Sequence, residues 1–277
     1  MNMKLSKLLC NIFFALSLSF SVKADSRDTT QLLANNVGNS SPNTLTRTVV
    51  KEANIVYPES LQSHIKESLS YVEKFSNKKR EYLIRTYQKG KTFFPKVAAI
   101  LKRYQLPQEL KVLIALESAF NANAVSTAGA VGYWQIMDAA AREYGLQIAV
   151  EQNANTKHKK TDERKNFTKS TMAAAKYLRD RRKELNNDLL LVVASYNCGA
   201  GNVRKAIRKS GKSNPNFWEI KKYLPAETKA YVMNFIALNV LFENYDKFIN
   251  NKLVFNSKLI EVPVSDNAGR LNTSITD

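Results

Sequence analysis

From Pro58 to about Asn250 apolar residues recur at the three- and four-residue spacing of an amphipathic helix, interrupted by short polar breaks. Sustained apolar–polar alternation, the mark of a half-buried strand, is hard to find there. A chain patterned in this way has to bury helix faces against one another, so the reading is a mainly α domain. Candidate helices cover residues 59–75, 77–88, 91–104, 108–118, 136–144, 169–186, 188–197, 202–208 and 225–248. The least helical stretch, Asn121 to Tyr133 with Gly129 and Gly132, reads as a short hairpin or irregular loop. With 277 residues and 44% hydrophobic content the chain can form a buried core as one large domain or two small ones. Nine glycines and seven prolines exclude a collagen-like or low-complexity architecture.

The flanks differ from this centre. Lys4 and Lys7 precede a mostly apolar run from Leu8 to Val22, and Val22-Lys23-Ala24 follows, so residues 1–24 read as a secretory signal cleaved near Ala24. The run is short for a spanning helix and holds Ser17, Ser19 and Ser21. Residues 25–56 begin rich in Ser, Thr and Asn without apolar periodicity and read as a disordered leader. Residues 57–250 form the expected domain. Residues 251–277 read as an extended tail, although Leu259 to Val264 is strand-like. The expected location is exported, periplasmic or secreted. Cys10 would leave with the signal and Cys198 would stand alone, so no intrachain disulfide is expected despite an oxidising destination.

Forty-two Lys and Arg against 24 Asp and Glu give a formal charge of +18, which directs the chain toward anionic partners. An anionic membrane surface or wall polymer fits an exported protein. A nucleic acid does not, because no array of aromatics interleaved with basic residues is visible and export removes the genomic partner. The run Lys157-His158-Lys159-Lys160 reads as a solvated loop. His64 and His158 stand apart in sequence, and one remaining cysteine cannot build a thiolate site, so no metal is expected. There is no Gly-rich phosphate loop and no Gly-x-Ser-x-Gly elbow, so nucleotide chemistry and serine hydrolysis are not indicated, and no organic cofactor is expected.

One carboxylate is conspicuous. In the candidate helix 108–118, Leu110, Leu113 and Ile114 make an apolar face, and Glu117 falls on it. A desolvated carboxyl there has a raised pKa and stays protonated as a general acid near neutrality; a Glu tilting into solvent from a helix end satisfies the same spacing. Leu190, Val193 and Ala194 form another face, with Tyr196 and Asn197 at the end of that helix before Cys198-Gly199-Ala200-Gly201. The glycines allow a ligand to approach closely, or form a plain turn, with Asn202 capping a following helix from Val203 to Arg208.

Together these segments are far more specific than any one of them. Glu117-Ser118-Ala119-Phe120-Asn121, Ala128-Gly129-Ala130-Val131-Gly132-Tyr133-Trp134-Gln135-Ile136-Met137 and Ala194-Ser195-Tyr196-Asn197-Cys198-Gly199-Ala200-Gly201-Asn202-Val203 resemble, in order and spacing, the signature blocks of the soluble lytic transglycosylase (SLT) catalytic domain. Phe217-Trp218 and Leu224 to Val232 resemble the membrane-bound D-type branch of that family, so the likeness covers roughly residues 57–250. The resemblance implies a lysozyme-like, goose-type helical domain that cuts peptidoglycan glycan strands between N-acetylmuramic acid and N-acetylglucosamine and leaves 1,6-anhydro ends. It implies Glu117 as the catalytic acid, with Ser118, Gln135, Tyr196 and Asn197 lining the cleft. A lysozyme-type hydrolase and a non-catalytic basic wall-binding protein are the alternatives. Three positions depart from the family pattern: Cys198 replaces a small residue and is expected to be packing, Tyr133 replaces an aliphatic, and Asp138 follows Met137 where Pro is common. Asp138 is read as a helix-start acid favoured by the dipole, with orientation of a hydrolytic water as the competing role. Trp134 is expected in the core.

Overall fold

The computed structural model describes residues 46–148 and 162–263. The expected signal, most of the expected leader and the Lys157–Lys160 run with His158 lie outside the described residues. Two compact units are present, one comprising Val56–Lys252 and the other the described residues on either side of it, up to Ile55 and from Leu253.

The larger unit is helical, as its apolar spacing requires. A 3-10 turn, Glu59–His64, leads into α1 (Ile65–Lys78) and α2 (Arg80–Arg103). A second 3-10 turn, Gln108–Val112, leads into α3 (Leu113–Ser118); α4 (Asp138–Glu143), α5 (Phe167–Glu184), α6 (Leu189–Cys198) and α7 (Ala200–Ser210) follow. The unit ends with α8 (Phe217–Ile220), α9 (Ala226–Glu243) and α10 (Tyr245–Ile249). Helix α9 is the hub. It is buried around most of its circumference, from Thr228 through Leu241, and packs against α1, α2, α3 and α6. Helix α6 is likewise buried from Leu190 to Asn197, which an all-apolar run such as Leu189 to Ala194 permits only inside a bundle.

The helix boundaries depart from expectation where a local punctuator is overruled by packing. The expected break near Gly90 is absent, and α2 runs through it. A Cβ at Gly90 would lie 2.2 Å from the Phe94 ring, so this glycine makes room for an aromatic and does not end the helix. Pro95 also lies within α2, and because it has no N–H, the carbonyl of Lys91 lacks its helical donor. The single expected helix 225–248 is two, divided at Asn244, whose side chain donates to Val56 and Val240 carbonyls and accepts from the Val56 N–H. Helix α8 was not expected; a capping box between Asn216 and Glu219 starts it. Asn202 does not cap α7. It lies inside that helix and donates to the Cys198 carbonyl, satisfying the end of α6 instead.

Residues 121–137 form the irregular segment, held by isolated bridges Val125–Val131 and Val131–Ile136. Gly132 is obligatory there: its φ is +83°, and a Cβ would come within 2.1 Å of the Arg164 carbonyl oxygen. Trp134 is fully buried and donates its indole N–H to Thr171 Oγ1 at 2.9 Å, a core role as expected.

The smaller unit corrects both flanking expectations. Strand β1 (Thr46–Lys51) falls in what reads as leader, and β2 (Lys258–Pro263) in what reads as tail. They pair antiparallel, Thr46 opposite Pro263 and Lys51 opposite Lys258. Thr46, Thr48, Val49 and Val50 are β-branched, and Pro263 is tolerated at the end of the ladder. Asn54 and Val254 extend the pairing, the Val254 N–H donating to Asn54 Oδ1 at 2.9 Å.

Candidate active site

Glu117 sits in the last turn of α3, below the fully buried Leu113 and Ile114. The chain then turns sharply: Ala119 and Phe120 both adopt left-handed conformations, φ +49° and +62°. Each such non-glycine residue costs on the order of 1 kcal/mol or more and persists only where packing holds it, here by the burial of Phe120 and its stacking on Phe93 at 5.0 Å. The strained turn ends the helix at the acid and keeps it from fraying into solvent.

The Glu117 side chain keeps limited contact with solvent while protein encloses its carboxyl. Desolvation raises its pKa from 4.5 to about 8, opposed by the hydrogen bond from Tyr231 and assisted by the charge of Glu227. The Tyr231 hydroxyl donates to Glu117 Oε1 at 2.5 Å. Burial, and then the Glu117 charge, hold the Tyr231 hydroxyl well above its ordinary value, so it stays a donor at any working pH. Tyr231 is the residue that sequence reading left out of the site. It belongs to the Leu224 to Val232 block, and its position four residues after Glu227 in α9 puts both on the side of that helix near α3.

Tyr196, at the end of α6, is buried, and its hydroxyl donates to the Trp134 carbonyl at 2.8 Å. Its ring lies beside the acid: burial, then the Glu117 charge, push its hydroxyl up. Next to Tyr196 opens a mostly apolar hollow of about 110 Å³, lined also by Gln135, Met137, Ala140, Tyr177 and Gly199. Gly199, with φ +81°, caps α7, and a Cβ there would meet open space, so the hollow is kept wide at that edge. Gln135 is itself left-handed at φ +46° and donates Nε2 to the Gly132 and Ala124 carbonyls at 2.9 and 3.1 Å.

Ser118 and Asn197 occupy different places. Ser118 Oγ donates to the Tyr133 carbonyl at 2.8 Å and accepts from the Asn121 N–H at 3.1 Å, fastening the turn after the acid to the irregular segment. Asn197 is buried, and its Oδ1 accepts from Thr228 Oγ1 at 2.8 Å, locking α6 to α9. The two residues therefore frame the acid. Asp138 begins α4 and is exposed, with Arg142 Nε at 2.7 Å from its Oδ1. Cys198 is half-buried, and its thiol donates to the Gly199 carbonyl at 3.8 Å. Among the described residues no group of three or more His, Cys, Asp or Glu could hold a metal ion, and no helix is long and apolar enough to cross a membrane.

The segment that holds this geometry is similar to known proteins. Residues 96–218 match the Transglycosylase SLT domain family. Membrane-bound lytic murein transglycosylase D of Escherichia coli (strain K12) is 38% identical over 155 residues, 55% of this chain and 32% of that protein. The chain therefore spans about a third of the length of that relative. Among solved structures, the lytic transglycosylase Slt of Pseudomonas aeruginosa, in an inactive mutant form, aligns with a TM-score of 0.43 and 22% identity over 57% of this chain and 24% of that one. The 70 kDa soluble lytic transglycosylase of Escherichia coli aligns with a TM-score of 0.43 and 18% identity over 65% and 31% of the respective chains. The matched segment, residues 96–218, holds Glu117, Ser118, Gln135, Tyr196 and Asn197.

Proposed function

We propose that this chain is an exported peptidoglycan lytic transglycosylase, periplasmic or secreted, that cleaves the β-1,4 bond between N-acetylmuramic acid and N-acetylglucosamine and leaves 1,6-anhydromuramyl ends. The observation that carries this reading is the Glu117 carboxyl, enclosed, raised to about 8 and gripped by Tyr231, with its neighbour Tyr196 lining a hollow in the matched segment. Such a group still holds its proton near neutrality and can act as a general acid.

In the first step the Glu117 proton passes to the glycosidic oxygen as its bond to the muramic C1 breaks, and the bonding pair leaves with that oxygen. The substrate's acetamido carbonyl oxygen bonds to C1 and stabilises the cationic centre. Glu117, now a carboxylate and still accepting from Tyr231, removes the proton of the C6 hydroxyl while O6 displaces the acetamido oxygen at C1. One residue serves both steps because donation leaves it as the base, and no water is consumed. Gln135 and Tyr196, which line the hollow, are assigned to the glycan; Ser118 and Asn197 act as positioning residues through the turn and through α9. The basic charge supports residence on acidic wall polymers or an anionic membrane surface.

Mass spectrometry of digested peptidoglycan tests the reading. Products lighter by one water than hydrolysed ends, lost with Glu117→Gln, are expected. Mainly reducing ends would assign a lysozyme-type hydrolase, and no cleavage by the folded protein would leave a wall-binding role.

A further inference from the structure

Glu117 faces one part of α9, and a separate groove of about 560 Å³ opens near the other end of that helix, between α2, the Gln108–Val112 turn and α9. Tyr231 and Asn239 are eight residues apart, about 12 Å along the helix. The volume falls in the range of about 300–1,000 Å³ usual for small-molecule sites. Its floor is rigid: Phe242 packs edge-on to Tyr87 at 5.3 Å and against Phe94 at 5.8 Å, and Tyr87 stacks on Tyr245.

Four charged side chains line this floor, Lys91 and Glu243 on the two long helices and Glu109 and Lys111 on the turn. None of the four forms an ion pair among the described residues, although Lys91 Nζ stands 5.6 Å from the Tyr87 ring centroid. One amide acceptor joins them. Asn239 is only 6% exposed and lines the groove; its amide nitrogen donates to the Phe235 carbonyl at 3.0 Å, and its Oδ1 accepts no hydrogen bond from the described residues.

A neutral glycan would leave both cations and both carboxylates unused, and a polyanion would be repelled by Glu109 and Glu243. A short peptide answers all of them: a backbone N–H for the Asn239 amide oxygen, carboxylates for the lysines, a free amine for the glutamates and an apolar side for the aromatic floor. We propose that this groove binds the stem peptide of peptidoglycan, one carrying free carboxylates and a diamino acid, and so holds the domain on a neighbouring stem while Glu117 works on a glycan. The identity of the peptide rests on the function proposed above; the groove's preference for a zwitterionic peptide does not.

The test uses the full chain carrying Glu117→Gln, which removes turnover, titrated by calorimetry with a soluble stem tetrapeptide containing a diamino acid. Saturable binding is expected, weakened about tenfold or more by Lys91→Glu or Lys111→Glu, and similarly when the peptide's side-chain amine is acetylated. Thermal unfolding of each variant, at exposed or half-buried positions, verifies the fold. In the otherwise native chain, the same lysine variants should leave cleavage of peptide-free glycan unchanged. Absence of binding, or binding indifferent to both lysines and to acetylation, overturns the inference. Binding that follows this pattern in a protein that cuts no glycan sustains the groove and overturns the function.

Discussion

Replacing Glu117 with Gln separates what the acid does for turnover from what it costs the fold. The folded carboxyl is raised from 4.5 to about 8, so between those values the native chain keeps a proton that the unfolded chain has released. Stability therefore falls as pH rises through this window and, for this group, levels off above it. At about 1.4 kcal/mol per decade, the loss between pH 4 and pH 7 has a ceiling of about 3 kcal/mol, and the residual solvent contact of the side chain brings the expectation to about 1–3 kcal/mol. Gln carries no such penalty, and its Oε1 still accepts from Tyr231. Thermal unfolding of the two proteins across pH 4–8 should show the variant's Tm advantage widening by about 2–10 °C toward high pH, whatever the offset at pH 4. Turnover should drop about 100- to 10,000-fold, and the parent's kcat/KM should decline above a pH near 8 as the acid ionises. A Tm difference that is constant with pH would refute the desolvated carboxyl, and substantial turnover by the folded variant would refute its role.

Tyr231→Phe removes the donor to Glu117; since that bond lowers the acid's pKa, the alkaline limb of kcat/KM should move to higher pH while kcat falls about tenfold or more, read from full pH–rate profiles. Glu227→Gln removes a neighbouring negative charge that raises the same pKa, so the limb should move to lower pH with kcat at its plateau little changed. Cys198→Ala should leave activity within a few-fold and make the protein indifferent to thiol reagents, because the thiol is a packing group beside Gly199. Asp138→Asn should retain near-normal activity and anhydro products, with Tm within about 2 °C of the parent, since only an exposed pair with Arg142 is lost.

The parts of this molecule legible in its sequence are those set by local physics. The apolar faces of α3 and α6 announced both helices, and Glu117 on the first of them was readable as an acid pointed at a core. What escaped reading depends on contacts between distant residues. Tyr231 reaches Glu117 across 114 positions, and although it stands in the Leu224 to Val232 block, local spacing alone does not say that its hydroxyl meets the acid. Gly90 looks like a break until Phe94 is seen filling the space beside it. Strand β1 has the composition of a strand but no hairpin partner nearby; its partner β2 lies beyond the whole helical unit. The motif assigns Ser118 and Asn197 to the cleft, while the groups that hold them, the Tyr133 carbonyl and Thr228, could not be read from the local sequence.

The arrangement of carboxylates bears on which nucleophile attacks the cleaved sugar. A hydrolytic site of the inverting kind needs a second carboxylate facing the acid across the substrate, about 6.5–9.5 Å away, to orient water. Asp138 is turned to Arg142 at the surface. Glu227, in the first turn of α9, is near enough for its charge to raise the Glu117 pKa. In the proposed reaction that charge keeps Glu117 protonated before the bond breaks and makes the resulting carboxylate a stronger base afterwards. A pKa near 8 suits both halves of that cycle, since the group must first give up a proton and then regain one from a hydroxyl of the same substrate. In the proposed reaction a single carboxyl, held by Tyr231 and aimed by the strained turn at Ala119 and Phe120, serves both steps, closing the C6 hydroxyl on C1 without a free water.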